Sequence, residues 1–140
     1  MLLAACADVP HASHEAPADG RQAVRFPAEM RAHTLANMRD HLQSLQEIDM
    51  ALSRGDYETA ASVAEKRLGM TSLEAHGASH LAPFMPDGMQ RIGSEMHRAA
   101  SRFAIEAQNA SVGNDPKPAL AALAGVMRQC VACHVAYRLE

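Results

Sequence analysis

Residues 114–140 read NDPKPALAALAGVMRQCVACHVAYRLE. Asn114-Asp115-Pro116 has the form of a helix start, in which a capping residue precedes a proline whose fixed φ suits the first turn. After it Leu120, Leu123, Met127, Cys130, His134 and Tyr137 recur at steps of three and four, the period of one helical face. The spacing therefore predicts a helix running to the C-terminal end. Three of its six face residues, Cys130, His134 and Tyr137, are not ordinary choices for a core.

The same arithmetic extends upstream. Pro27 sits where a first-turn proline is tolerated, and Arg31, Leu35, Met38, Leu42, Leu45, Ile48 and Leu52 follow at helical steps, predicting a helix over 28–53. Arg54-Gly55-Asp56 breaks it, and Asp56 caps a second helix that carries Tyr57, Ala60, Ala61, Ala64 and Leu68 and is closed by Gly69. Residues 70–85 are less regular. Pro86 then opens a third helix with Met89, Ile92, Met96, Ala99 and Phe103 on one face, ending at Gly113. With five aromatic residues and few β-branched ones, sheet architectures are disfavoured. Four apolar stripes joined by short links predict an all-α fold, an antiparallel up-down-up-down four-helix bundle.

Cys130-Val131-Ala132-Cys133-His134 is a Cys-x-x-Cys-His motif, the attachment signature of c-type haem. Two thiols about one helical turn apart match the two vinyl groups on one side of a porphyrin, and the adjacent imidazole reaches the iron. Two rival readings are weaker. A redox dithiol belongs at a helix N-terminus, whereas these cysteines lie near a helix end. A structural zinc site needs a second Cys or His pair at finger spacing, and none stands in a suitable place.

The run Cys130-x-x-Cys133-His134-x-x-Tyr137-Arg138 at the end of a four-helix sequence resembles the class II c-type cytochromes, that is, cytochrome c′ and its low-spin relatives. Arg31, Leu35, Met38, His41 and Leu42 add a spacing similar to that family's haem-covering helix. The resemblance spans about residues 26–140. It implies one covalent haem c between helices, His134 as the proximal ligand of the iron, and Arg138 near the proximal face or a propionate. It leaves the distal side open. Aligned to the family pattern, Leu35 takes the sixth-ligand position, and Met38 follows three residues later on the same face. Met38 as a thioether ligand and open iron over Leu35 are therefore the two leading alternatives, with Met30, His33 and His41 behind them.

Other soft residues have ordinary readings. His76 and His80 at i, i+4, followed by Met85, Met89, Met96 and His97, suggest a copper site, but the methionines fit the core stripe of the third helix. His76 and His80 are then surface or loop histidines. Arg31, Arg91, Arg98 and Arg102 are weak candidates for propionate partners.

The beginning of the chain, Leu3-Ala4-Ala5-Cys6, has the form of a bacterial lipobox, implying a lipid anchor on Cys6 and a start upstream of Met1. Residues 1–25 read as a truncated export segment and tether, with His11 and His14 solvated. Residues 26–140 read as the cytochrome domain. Haem attachment outside the cytoplasm agrees with the export signal, so the expected location is periplasmic, tethered or free. Thirteen Lys plus Arg against 16 Asp plus Glu, a net charge of −3, give no reason to expect nucleic-acid binding. No apolar run approaches the roughly 18 residues of a membrane span, so no bilayer-crossing segment is expected.

The expected function is single-electron transport with redox proteins as partners, and not enzymatic catalysis, since no nucleophile, base and orienting group can be placed together. The alternative is a five-coordinate haem protein that binds NO or CO under Leu35. A homodimer, which the resemblance implies, and a monomer fit the pattern equally.

Overall fold

The computed structural model describes residues 19–140 and is mostly helical, with little strand. Its long helices are α1 (Ala28–Ser53) and α2 (Tyr57–Arg67), followed, after the one-turn α3 (Ala78–Leu81), by α4 (Asp87–Gly113) and α5 (Lys117–Ala136). Two short 3₁₀ turns, Met70–Ser72 and Ala82–Phe84, flank α3 in the irregular stretch. Strand β1 (Gln22–Val24) pairs in parallel with β2 (Tyr137–Leu139).

Local chemistry sets the boundaries. The Asp56 side chain accepts from the Thr59 N–H at 3.0 Å and caps α2. Gly55, at φ 71°, takes the left-handed turn that the link from α1 requires. Helix α4 stops where Asn114 turns left-handed at φ 54°. Asp115 then accepts from the Lys117 N–H at 3.1 Å, serving the first turn of α5. Gly69 does not close α2 by a left-handed turn. It is extended, and a Cβ there would collide with the Glu65 backbone and carboxylate.

Helix α2 packs on α1 and α4, and α5 packs on α4. The packed core is built largely from small residues: Ala60, Ala61 and Ala64 of α2 and Ala100, Ala107 and Ala110 of α4 close around Phe103, Ile48, Leu68 and Val126. Alanine lets these backbones approach closely, so few large side chains fill the interior. Arg67 clamps α2 to α1, its guanidinium standing 2.5 Å from Asp40 Oδ1 and 2.6 Å from Glu47 Oε2.

The helical faces are rotated from the expected stripes. On α1 the buried residues are Thr34, His41, Ser44, Ile48 and Ala51, while Leu42 is 70% exposed. Thr34 and Ser44 tolerate burial because each hydroxyl donates to the carbonyl four residues back, Met30 and Asp40, at 2.8 Å. On α5 the buried face is Ala119, Leu123 and Val126, and Leu120 and Met127 lie largely outside it. Residues 22–24, expected in the tether, are instead part of the fold: Val24 is buried and its strand pairs with Tyr137–Leu139. Tyr137 accordingly begins β2 instead of continuing α5. Helix α5 is also long and apolar enough, by length and composition, to cross a membrane, because its few polar residues are spread among Ala, Val and Leu. Cys6, His11 and His14 lie outside the described residues.

Candidate functional site

A cavity of about 600 Å³ opens among α1, the segment 73–85, the N-terminal half of α4 and the C-terminal end of α5. That is the size of a site for an organic cofactor. Two apolar clusters meet at its walls. Leu45, Met96 and Cys130 belong to the alanine-rich core, and Leu81, Met89, Cys133 and Tyr137 to a smaller cluster around Val24 and Phe26.

The motif residues Cys130, Cys133 and His134 all line this cavity. Both cysteines are half-buried and free, and burial pushes both thiols above the ordinary cysteine value. They are protonated at neutral pH, the opposite of what a reactive dithiol needs. The Cys130 thiol points along its helix to the Val126 carbonyl at 3.7 Å. The backbone carbonyl of His134 accepts from Arg21 at 3.4 Å, so the segment leading into β1 reaches the motif.

Arg138 also lines the cavity. Its Nη2 bonds Glu140 at 2.8 Å, but its Nε is buried without a hydrogen-bond partner, in an ion pair with Asp19 Oδ2 at 3.7 Å. An orphaned guanidinium N–H beside a cavity suits an acidic group entering it.

The opposite wall is α1, which presents Leu35, Met38, Leu42 and Leu45 to the same space. These residues of the expected stripe face the cavity together with Thr34 and His41, while Ile48 and Ala51, further along the helix, face the packed core. On α4, Gly93 lies four residues after Met89 and three before Met96, both buried, and so shares their face. A Cβ on Gly93 would meet nothing within 4 Å, which leaves flat open space against this helix.

Three histidines gather on the cavity wall, from α1 (His41), from the segment before α3 (His76) and from α4 (His97). Their ring centres stand 4.8 Å (41–76), 5.3 Å (76–97) and 6.4 Å (41–97) apart. His97 Nδ1 is 2.7 Å from the Leu68 carbonyl, so that nitrogen donates and Nε2 keeps its lone pair. Ser72 gives its hydroxyl proton to the Gly69 carbonyl at 2.7 Å and can only accept from His76 Nδ1 at 3.4 Å, which leaves His76 Nε2 likewise free. His41 Nε2 is buried with no hydrogen-bond partner. Burial, and then the neighbouring imidazoles, push His41 down to about 4, and burial lowers His76 and His97 as well. All three rings are neutral at pH 7. Asn37 Nδ2 donates to the His76 carbonyl at 3.1 Å and holds the segment onto α1.

Among the other expected partners, Arg31 lines the cavity and Arg91, Arg98 and Arg102 do not. Arg98 and Arg102 pair with Glu95 instead. His80 is exposed and lines a separate hollow with His33. The sequence reading took His41 as a lesser candidate for the distal ligand and His76 as a surface or loop residue, and did not bring these two together with His97; His76 does lie in the loop before α3, half-buried. The sequence reading also missed Arg21 and Gly93. Gly93 had a readable signal, a glycine interrupting an apolar stripe at Met89 and Met96. The chain matches no family model, no curated protein and no solved structure.

Proposed function

We propose that the four long helices form an antiparallel bundle around one covalently attached haem c, and that the protein carries single electrons in the periplasm between redox partner proteins. The observation that carries this reading is that Cys130, Cys133 and His134 open onto the same apolar cavity as Leu35 and Met38 from the facing helix. The residues present fit the group. Two protonated thiols would hold it as thioethers, His134 would supply the proximal ligand, and the unpartnered Arg138 Nε would meet a propionate. Gly93 leaves room for a flat ring against α4.

Bound there, haem supplies a one-electron Fe(III)/Fe(II) couple. The chain's own contribution is to keep the couple dry and ligated. The leucines and methionines of α1 and α4 exclude water, which favours the less charged state and tunes the potential. In this reading Met38, on the cavity wall, would hold the iron through its thioether. Val131 within the motif and Val135 just after it, 62% and 70% exposed on α5, offer an apolar edge on which a partner docks briefly.

The test is His134→Ala. It is expected to lose the native ferric and ferrous spectra, because His134 is the imidazole that directly follows Cys133 in the chain, and an unchanged spectrum contradicts the reading. The second reading, NO or CO binding to five-coordinate iron, is favoured by Leu35 sharing the wall with Met38. A carbon monoxide difference spectrum on the ferrous protein separates them: a shift supports gas binding, and no shift supports a closed electron carrier.

A further inference from the structure

The three neutral imidazoles have no role in haem attachment, and their arrangement is costly to leave unused. His41 Nε2 is buried and unpartnered, and His76 and His97 each keep an Nε2 lone pair while Nδ1 is engaged by Ser72 and by the Leu68 carbonyl. An Nδ1–H given to a backbone carbonyl is the outer contact that fixes the tautomer of a metal-binding histidine. We propose that His41, His76 and His97 form a tri-imidazole site for a late first-row divalent cation, with Zn²⁺ as its representative.

The spacing supports this. Imidazole nitrogen binds zinc at about 2.0–2.1 Å, and with the ring centre about 1.1 Å beyond, tetrahedral angles put ring centres about 5.2 Å apart. Two of the observed separations, 4.8 and 5.3 Å, lie within about 0.4 Å of that value, and the third, His41 to His97 at 6.4 Å, is about 1.2 Å longer. Among the described residues no three donor groups already surround one point. Two of the three pairs nevertheless stand at coordination spacing, and in this proposal His41, whose Nε2 has no partner to give up, is the ring that moves to close the third. The rings come from three separate elements, so a bound cation cross-links α1, α4 and the segment between α2 and α3. Charge also fits. Asp40 adjoins His41, and the pair Asp40 and Glu47 faces the single guanidinium of Arg67, which leaves a net negative charge beside three neutral ligands. Three protein ligands leave the fourth position turned to the cavity, as in zinc sites that keep an open coordination place.

The test is equilibrium dialysis of the chelator-treated, full-length, haem-bearing protein against ZnCl₂ with metal analysis, followed by zinc-edge absorption spectroscopy. One equivalent is expected, with a spectrum that fits three imidazole nitrogens at about 2.0 Å. His76→Gln and His41→Gln are each expected to weaken binding at least 100-fold, and His80→Gln, at an exposed position outside the cavity, to leave it unchanged. His76 is only half-buried, so its variant keeps the test independent of any folding loss in His41→Gln. Three results overturn the site: no saturable zinc, binding retained in His76→Gln, or a zinc shell without three imidazoles.

Discussion

Replacing Gly93 with leucine should change stability in opposite directions depending on whether haem is attached. Gly93 lies within α4 between Met89 and Met96 and faces the cavity, and a Cβ there meets nothing within 4 Å. In a haem-free chain, made with Cys130→Ala and Cys133→Ala, the new side chain enters open space. The only change is then helix propensity, a gain of about 0.8 kcal/mol. For a chain of this size that raises Tm by about 3 °C. The packed core around Phe103 and Ile48 lies apart from the cavity mouth and gives the haem-free chain something to fold around. In the haem-bearing chain the same side chain competes with the porphyrin for space. Overpacking costs about 3 kcal/mol, so the net effect is a loss of about 2 kcal/mol. Urea unfolding followed by far-UV circular dichroism measures both, with the shift in midpoint at constant slope giving the difference. A Gly93→Leu protein that carries a full complement of haem and is stabilised in both forms would refute the placement of haem against α4.

Met38→Ala should convert the holoprotein from low-spin to high-spin and open it to carbon monoxide, as read in the optical spectrum; an unchanged spectrum removes Met38 as a ligand. Phe103, fully buried in the core, should lose about 3–5 kcal/mol on truncation to alanine while the haem spectrum stays unchanged, which separates core from site. Arg67→Met should lower the urea midpoint at pH 7. Its hydrogen bond to Glu47 holds that carboxyl below the ordinary value of 4.5, so the stabilisation is present above that pH and fades as pH falls through the lower folded-state value. The gap between Arg67→Met and the parent protein should therefore narrow in acid, and a gap that widens there contradicts the clamp.

The boundaries of α1 were legible because punctuation brackets it: Pro27 before Ala28, and the turn of Gly55 and Asp56 after Ser53. The motif was legible because its chemistry needs residues that are neighbours in sequence. What each helix faces was less legible. Helix α1 serves a core and a cavity, and its buried residues, Thr34, His41, Ser44, Ile48 and Ala51, include only one large aliphatic side chain. The large residues Leu35, Met38 and Leu42 thus trace the cavity wall, and periodicity alone reads them as the core. Strand β1 left no signal, since three residues carry no period and their partner lies at the other end of the chain. The histidine cluster was invisible for a related reason. His41, His76 and His97 share no local spacing, and only the packing of α2 between α1 and α4 gathers them.

The most direct measurement is the haem content and denatured mass of the protein purified from a host that matures c-type cytochromes, compared with Cys130→Ala, Cys133→Ala. One haem per chain that survives acidified organic extraction and raises the mass of the parent protein alone is the predicted result. A parent chain with the mass of the bare polypeptide and no retained haem would contradict the account at its centre.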